Sequence, residues 1–140
     1  MSLPDHLTLE IVTPESSIVS EQVDAVQIPG AEGSFGVLPG HTPLLATLQV
    51  GELWYRQGQD TSYVVVSFGF AEVLPDRVTI LAQIAESADD IDVTRAQTAQ
   101  KRAKDRLARP IADMDVERAR LAMLKSLVRL RVASRTKPRE

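Results

Sequence analysis

Ile91-Asp92-Val93-Thr94-Arg95-Ala96 is the stretch at which the chain changes character. Before it, short apolar runs are broken by Gly and Pro, and Arg56 and Arg77 are the only basic residues. After it Gly and Pro almost vanish, and Lys and Arg crowd in. The spacing of apolar residues changes with the composition, from the two-residue period of strands to the three-to-four spacing of helices. The stretch therefore divides two unlike parts, a β part over 1–88 and a helical part over 89–140.

Charge follows the same division. Residues 1–90 carry 2 Lys/Arg against 13 Asp/Glu, a balance of −11, while residues 91–140 carry 14 against 6, a balance of +8. The net −3 over 140 residues hides both. Such a split marks a partner surface, or two parts that attract each other. With 44% hydrophobic residues the chain can bury a core, and it contains no Cys, so disulfides and thiolate metal sites are excluded. No apolar run approaches the roughly 18 residues that cross a bilayer. Met1-Ser2-Leu3-Pro4-Asp5-His6 is neither a signal nor a transit peptide, so a soluble protein that stays where it was made is expected.

In the acidic part, Leu7, Leu9 and Ile11 alternate with Thr8 and Glu10, the pattern of a half-buried strand. Ile18-Val19 and Val23 to Ile28 read as two more strands, the second ended by Pro29-Gly30. Pro29 to Pro43, with Gly30, Gly33, Gly36 and Gly40, reads as a loop. Leu44 to Val50 resumes an apolar run. Leu53 to Arg56 with Ser62 to Phe68 reads as one hairpin, and Gly69 to Leu74 with Val78 to Ala85 as another, turning at Pro75-Asp76. About eight to ten short strands with no helix between them predict an antiparallel sandwich or flattened barrel. A parallel sheet is not expected.

The helical part predicts a first helix over about Ile91–Ala108, capped by Asp89-Asp90, with Asp92 in its first turn. Its apolar stripe is Ala96, Ala99, Ala103 and Leu107. Pro110 breaks it, and Asp113 opens a second helix over about Met114–Ser134. A short connection makes the pair an antiparallel hairpin. At about 100° per residue the second helix carries two apolar stripes, Val116-Ala119-Met123-Leu127-Leu130 and Leu121-Leu124-Val128-Val132. One neighbour covers only one stripe, so a second neighbour is expected. The fold class is α+β, a sandwich followed by a two-helix hairpin.

Catalytic chemistry finds little support. His6 and His41 begin no metal-ligand spacing, and Ser67 in Val66-Ser67-Phe68-Gly69 is no nucleophile elbow. The glycine-rich stretch lacks the Lys-Ser/Thr of a phosphate loop. No metal site and no catalytic residue are expected. The basic hairpin admits an alternative function, a stand-alone module that binds nucleic acid. Against it, no aromatic residue follows Phe70, so the hairpin offers bases no stacking platform.

Three further runs are specific. They are Pro29-Gly30, Gly33 and Gly36-Val37-Leu38-Pro39-Gly40-His41-Thr42-Pro43-Leu44-Leu45; then Ser67-Phe68-Gly69-Phe70-Ala71-Glu72-Val73 followed by Val78-Thr79-Ile80-Leu81-Ala82; then Ile91-Asp92-x-x-Arg95-Ala96. Over essentially its whole length the chain resembles the epsilon-subunit family of F-type ATP synthases. The resemblance implies a non-catalytic subunit of the central stalk of a proton-translocating synthase. Its sandwich would clamp the gamma subunit and rest on the c-ring. The hairpin would fold down on the sandwich, or extend along gamma into the alpha/beta hexamer and hinder ATP hydrolysis. Location would be peripheral, on the cytoplasmic face of a bacterial cell membrane and held there only through the complex. Ser34, where some members carry a carboxylate, and His41 would lie near the rotor ring. No cofactor is required. ATP is implied as a regulatory ligand, held by Glu86, Ile91, Asp92, Arg95, Ala96, Arg102, Lys125 and Arg129. Lys125 stands where ATP-binding relatives carry Arg, keeping the charge but losing the bidentate fork.

Overall fold

A computed structural model describes residues 3–109 and 115–135 of the chain. The chain divides into two compact units, Met1–Ser87 and Ala88–Glu140. Among the described residues the first unit holds eight strands: β1 (Leu7–Val12), β2 (Ser17–Val23), β3 (Ala25–Gly30), β4 (Gly33–Val37), β5 (Leu44–Leu48), β6 (Gly51–Gln57), β7 (Asp60–Leu74) and β8 (Arg77–Ser87). The second holds a 3-10 turn at Ala88–Asp90 and two helices, α1 (Val93–Ala108) and α2 (Val116–Ala133).

The strands run β2-β1-β8-β7-β5-β3-β4, and β6 bridges β3 and β7. The first half of β7 pairs with β6 and its second half with β5, while β8 runs along its other edge. Both β5 and β6 reach β3, so the sheet curls on itself as a flattened barrel. All pairings are antiparallel except one. β1 lies parallel to β8, joining the first and last strands of the unit. No crossover helix is needed, because the whole sandwich serves as the connection, and sequence periodicity carries no trace of it.

The core is aliphatic. Leu7, Leu9 and Ile11 of β1 are fully buried and meet Val26 and Ile28 of β3, Leu53 of β6, Val64 and Val66 of β7, and Ile80 of β8 in one cluster. Burying each such side chain contributes about 1.5–3 kcal/mol.

Two strands of the sandwich differ from the sequence reading in their extent. Half of the glycine-rich loop is a strand, since β4 pairs with β3 from Val26–Val37 to Gly30–Gly33 around a two-residue turn at Ala31-Glu32. Gly33, Ser34 and Gly36 have little strand propensity of their own. The partner strand supplies the order, and Gly33 takes the φ of +128° that the turn demands.

The second difference is that Ser62–Phe68 and Gly69–Leu74 form one 15-residue strand. Val64 and Val66 face the core before Phe68, and Ala71 and Val73 face it afterwards, so the alternation shifts by one residue. The shift occurs where Phe68 has φ +56° and Gly69 φ +124°. It is a kink within a strand, and the glycine reads in sequence as a break.

In the second unit, Asp89 and Asp90 lie in the 3-10 turn and do not cap α1; Asp92 does. α2 is capped by Asp115, while Pro110 and Asp113 lie outside the described residues. α1 buries Ala96 and Ala103, with Ala99 and Leu107 half-buried, as its spacing requires. On α2 both stripes are only partly covered. Ala119, Val128 and Val132 are buried, but Val116, Leu124 and Leu127 stand 37%, 45% and 41% exposed. Ser126, which belongs to neither stripe, is buried as well, at 1% exposure. Ser126 satisfies its hydroxyl by donating to the Met123 carbonyl at 2.8 Å. Small side chains on both helices permit the close approach of α1 and α2.

Candidate functional site

Two groups of candidate residues fall on the two units. On the sandwich, Ser34 is exposed in β4 opposite Pro29. His41 follows in the segment between β4 and β5, half-buried, its Nδ1 donating to the Thr42 carbonyl at 2.6 Å. That segment is fixed by backbone bonds. The Gly40 N–H donates to the Pro75 carbonyl at 2.7 Å, and the His41 N–H to the Leu38 carbonyl at 3.1 Å. The glycines at the start of the stretch sit in or beside the β3–β4 ladder, and Gly30 and Gly33 border an open cleft of about 270 Å3 shared with Phe35 and Thr47.

Nearby, the outer face of the sheet is apolar in a way the sequence reading missed. Thr47, Phe70 and Leu81 lie opposite one another across β5, β7 and β8, and Val12 of β1 continues the row. Phe70 and Leu81 are each 52% exposed, and Leu45 on β5 is 70% exposed. Beside them lies a shallow cleft of about 370 Å3, bordered by Val12, Pro14, Phe70 and Leu81. Gly69 lines it too, without a side chain to fill it. The signal in sequence is the Gly69 kink, which turns Phe70 outward when plain alternation from Val64 and Val66 would turn it inward.

On the helical unit, Asp92 is the N-cap of α1. Its Oδ1 accepts from the Arg95 N–H at 3.0 Å, and its carbonyl accepts from the Ala96 N–H at 3.0 Å. Such a cap is worth about 1 kcal/mol. Ile91 and Ala96, flanking the cap, are 8% and 0% exposed, while the Arg95 and Arg102 side chains face solvent. Lys125 and Arg129, one turn apart on α2, are half-buried, and Arg129 Nε is shielded from solvent. Within this unit the fold thus brings Ile91, Asp92, Arg95 and Ala96 to one helix start, with Arg102 further along α1 and Lys125 and Arg129 on the helix packed beside it. Glu86 belongs to the first unit, in β8. Among the described residues no group of three His, Asp or Glu is placed to hold a metal ion, and no helix is long and apolar enough to cross a membrane.

Known proteins share both units. The beta-sandwich domain of the ATP synthase delta/epsilon chain matches residues 6–88, and the long alpha-helix domain of the same chain matches residues 89–134. The ATP synthase epsilon chain of Syntrophobacter fumaroxidans is 51% identical over 134 residues, covering 96% of this chain and all of that one. That of Nitratidesulfovibrio vulgaris is 51% identical over 126 residues, covering 90% and 94%. In three dimensions, a chain of the Euglena gracilis mitochondrial ATP synthase, from an OSCP/F1/c-ring structure, matches with a TM-score of 0.81 at 26% identity, covering 96% of this chain and 84% of that one. A chain of the Tetrahymena thermophila enzyme's central stalk and c-ring shares the fold at 13% identity and a TM-score of 0.56, covering 96% and 97%.

Proposed function

This chain belongs to the ATP synthase delta/epsilon family, and we propose that it works as a non-catalytic subunit of the central stalk in such an enzyme. The sandwich clamps the gamma subunit, and the rim carrying Ser34 and His41 rests on the c-ring. The helical hairpin brakes ATP hydrolysis when it extends along gamma into the alpha/beta hexamer. The protein sits at the cytoplasmic face of a bacterial cell membrane through the complex alone.

The observation that carries this reading is the exposed row of Phe70 and Leu81 beside the Val12–Pro14 cleft. An aromatic and a leucine left half in water on a rigid sheet describe a surface held by a partner. Covering the two contributes a few kcal/mol, at about 1.5–3 kcal/mol for each full burial. The hairpin adds the means of control. Val116, Leu124 and Leu127 remain accessible on α2, and Arg120 and Arg131 are exposed on the same helix. A second surface that is apolar and cationic lets the helix exchange one neighbour for another. Nucleic-acid binding draws no support from the relatives.

ATP is the ligand we assign to the folded hairpin, at a site built around Ile91, Asp92, Arg95, Ala96, Arg102, Lys125 and Arg129. Arg95 and Arg102 from α1 and the Lys125–Arg129 pair from α2 supply the cations a triphosphate needs. At ~100 times its dissociation constant, ATP would favour the form that binds it by ~2.7 kcal/mol.

The deciding experiment compares complexes carrying the full chain with complexes ending at residue 88. The truncated chain assembles with gamma and ATP hydrolysis rises. Unchanged hydrolysis removes the brake, and failure of the full chain to copurify with gamma removes the stalk role.

A further inference from the structure

The start of α1 has a twin. Asp92-Val93-Thr94-Arg95-Ala96 opens α1, and Asp115-Val116-Glu117-Arg118-Ala119 opens α2. The two segments share Asp, Val, Arg and Ala at matching positions, and their geometry agrees. Asp92 has φ −80° and ψ 99°, and Asp115 has φ −79° and ψ 97°. Each Oδ1 accepts from the backbone N–H of the Arg three residues on, at 3.0 Å. Each aspartate carbonyl accepts from the Ala N–H, at 3.0 Å in α1 and 3.2 Å in α2. Ala96 and Ala119 are both buried, at 0% and 3% exposure, and Arg95 and Arg118 both face solvent.

We infer that Asp-Val-x-Arg-Ala is a helix-opening device used twice, and that Asp92 is a positioning residue which sets Arg95 in place without touching a nucleotide. The second copy carries the point. Asp115 lies outside the residues assigned to ATP, yet it does everything that Asp92 does, so the geometry at Asp92 is complete without a ligand. The chemistry agrees. Beside a phosphate a carboxylate adds like charge. One of its oxygens is already committed to the Arg95 amide. The cap fixes where the first turn begins, and with it the direction of the Arg95 stem. The ligand half of this inference rests on the ATP reading proposed above; the capping half stands without it.

The test uses the full chain, with amide hydrogen exchange followed residue by residue and ATP binding followed by calorimetry. Losing a cap speeds exchange of the first-turn amides about fivefold. Asp92→Ala should show that change at Arg95 and weaken ATP binding by a similar factor. Asp92→Asn, which caps almost as well, should restore both to within about twofold of the parent. Asp115→Ala should reproduce the exchange change at Arg118. If Asp92→Asn weakens ATP binding as far as Asp92→Ala while the Arg95 amide stays protected, the carboxylate touches the nucleotide and the positioning role is overturned. If the parent chain takes up no ATP, the ATP reading itself fails, and the exchange data alone judge the cap. Unchanged exchange at Arg95 in Asp92→Ala then overturns it.

Discussion

Gly69 of β7 lies against the carbonyl of Leu81 in β8, so close that a Cβ on Gly69 would collide with the Leu81 oxygen and press on the Ala82 Cα. The obstacle is backbone on a core-facing strand, which has no easy way to yield. Gly69 also holds φ at +124°, a conformation L side chains rarely adopt. Two costs therefore coincide at one residue, at the kink that turns Phe70 outward. Gly33 separates them, for its φ is +128° but nothing lies within 4 Å of its would-be Cβ. Gly33→Ala should lose about 1–3 kcal/mol from backbone strain alone. Gly69→Ala should lose more, about 4 kcal/mol or above, the range in which steric clash adds to strain. Urea titration of the two variants checks the order, and equal losses would mean that the strand slides to make room.

Asp24 gathers the corner where β2 ends and β6 turns into β7. Its Oδ2 accepts from the Gly58 N–H at 2.6 Å, its Oδ1 from His6 Nδ1 at 3.2 Å, and Arg56 lies 3.8 Å away. The Gly58 backbone bond first, then His6 and Arg56, hold the Asp24 carboxyl below its ordinary value of 3.8, against the opposing effect of burial. A carboxyl with a lowered folded-state value binds its proton more readily in the unfolded chain. Its contribution to stability is thus present above pH 3.8 and is lost as the pH falls through the lowered folded-state value. Asp24→Asn should remove that part of the acid sensitivity. Urea midpoints measured between pH 6 and pH 2.5 should fall less steeply in the variant than in the parent.

The α1 seam is made of alanine because the second helix comes close. Ala103 is 2% exposed, whereas Ala108, on the same helix, faces solvent. Ala103→Leu should overfill the seam and destabilise the hairpin by about 1–3 kcal/mol. Ala108→Leu should change little. The helical signal in far-UV circular dichroism, followed on heating, distinguishes them. Equal melting of both variants with the parent would mean that the seam has room the geometry does not suggest.

What sequence makes legible here depends on whether a residue's own neighbours decide its fate. β1 was readable because Leu7, Leu9 and Ile11 all face one core, and the α1 stripe because Ala96, Ala99, Ala103 and Leu107 recur at helical spacing. β4 was not, because Gly33, Ser34 and Gly36 owe their strand to the chain opposite. The parallel contact of β1 with β8 was not, because it joins residues some seventy positions apart. On α2 Ser126 is buried at 1% exposure, although a hydropathy pattern assigns it to water. The Asp115 cap was available as the repeat of Asp92-Val93-x-Arg95-Ala96, but Asp113 stood nearer the preceding proline. At Ile91–Ala96 the start of a helix was legible, but Asp92, read as a first-turn residue, is the cap itself. The apolar row at Phe70 and Leu81 was hidden by the one-residue shift at Gly69.

Replacing Lys125 by Arg changes the geometry of the cation at constant charge. Lys125 and Arg129 are one helical turn apart on α2 and both half-buried. An ammonium meets a phosphate as a point charge, while a guanidinium presents two parallel N–H groups to two oxygens. If ATP is bound by the folded hairpin, Lys125→Arg should tighten it, by roughly threefold to tenfold for one added charged hydrogen bond, at about 0.7–1.4 kcal/mol net. Arg129→Ala should weaken it by more than Lys125→Arg strengthens it, because it removes a donor set outright. Calorimetry on the full chain reads both directions. Tighter binding in Lys125→Arg should also raise the ATP-bound population of the hairpin at a fixed nucleotide concentration, and so lower the braking of hydrolysis in the assembled complex. An unchanged affinity in Lys125→Arg, with Arg129→Ala weakened, would place the phosphates beyond the reach of position 125.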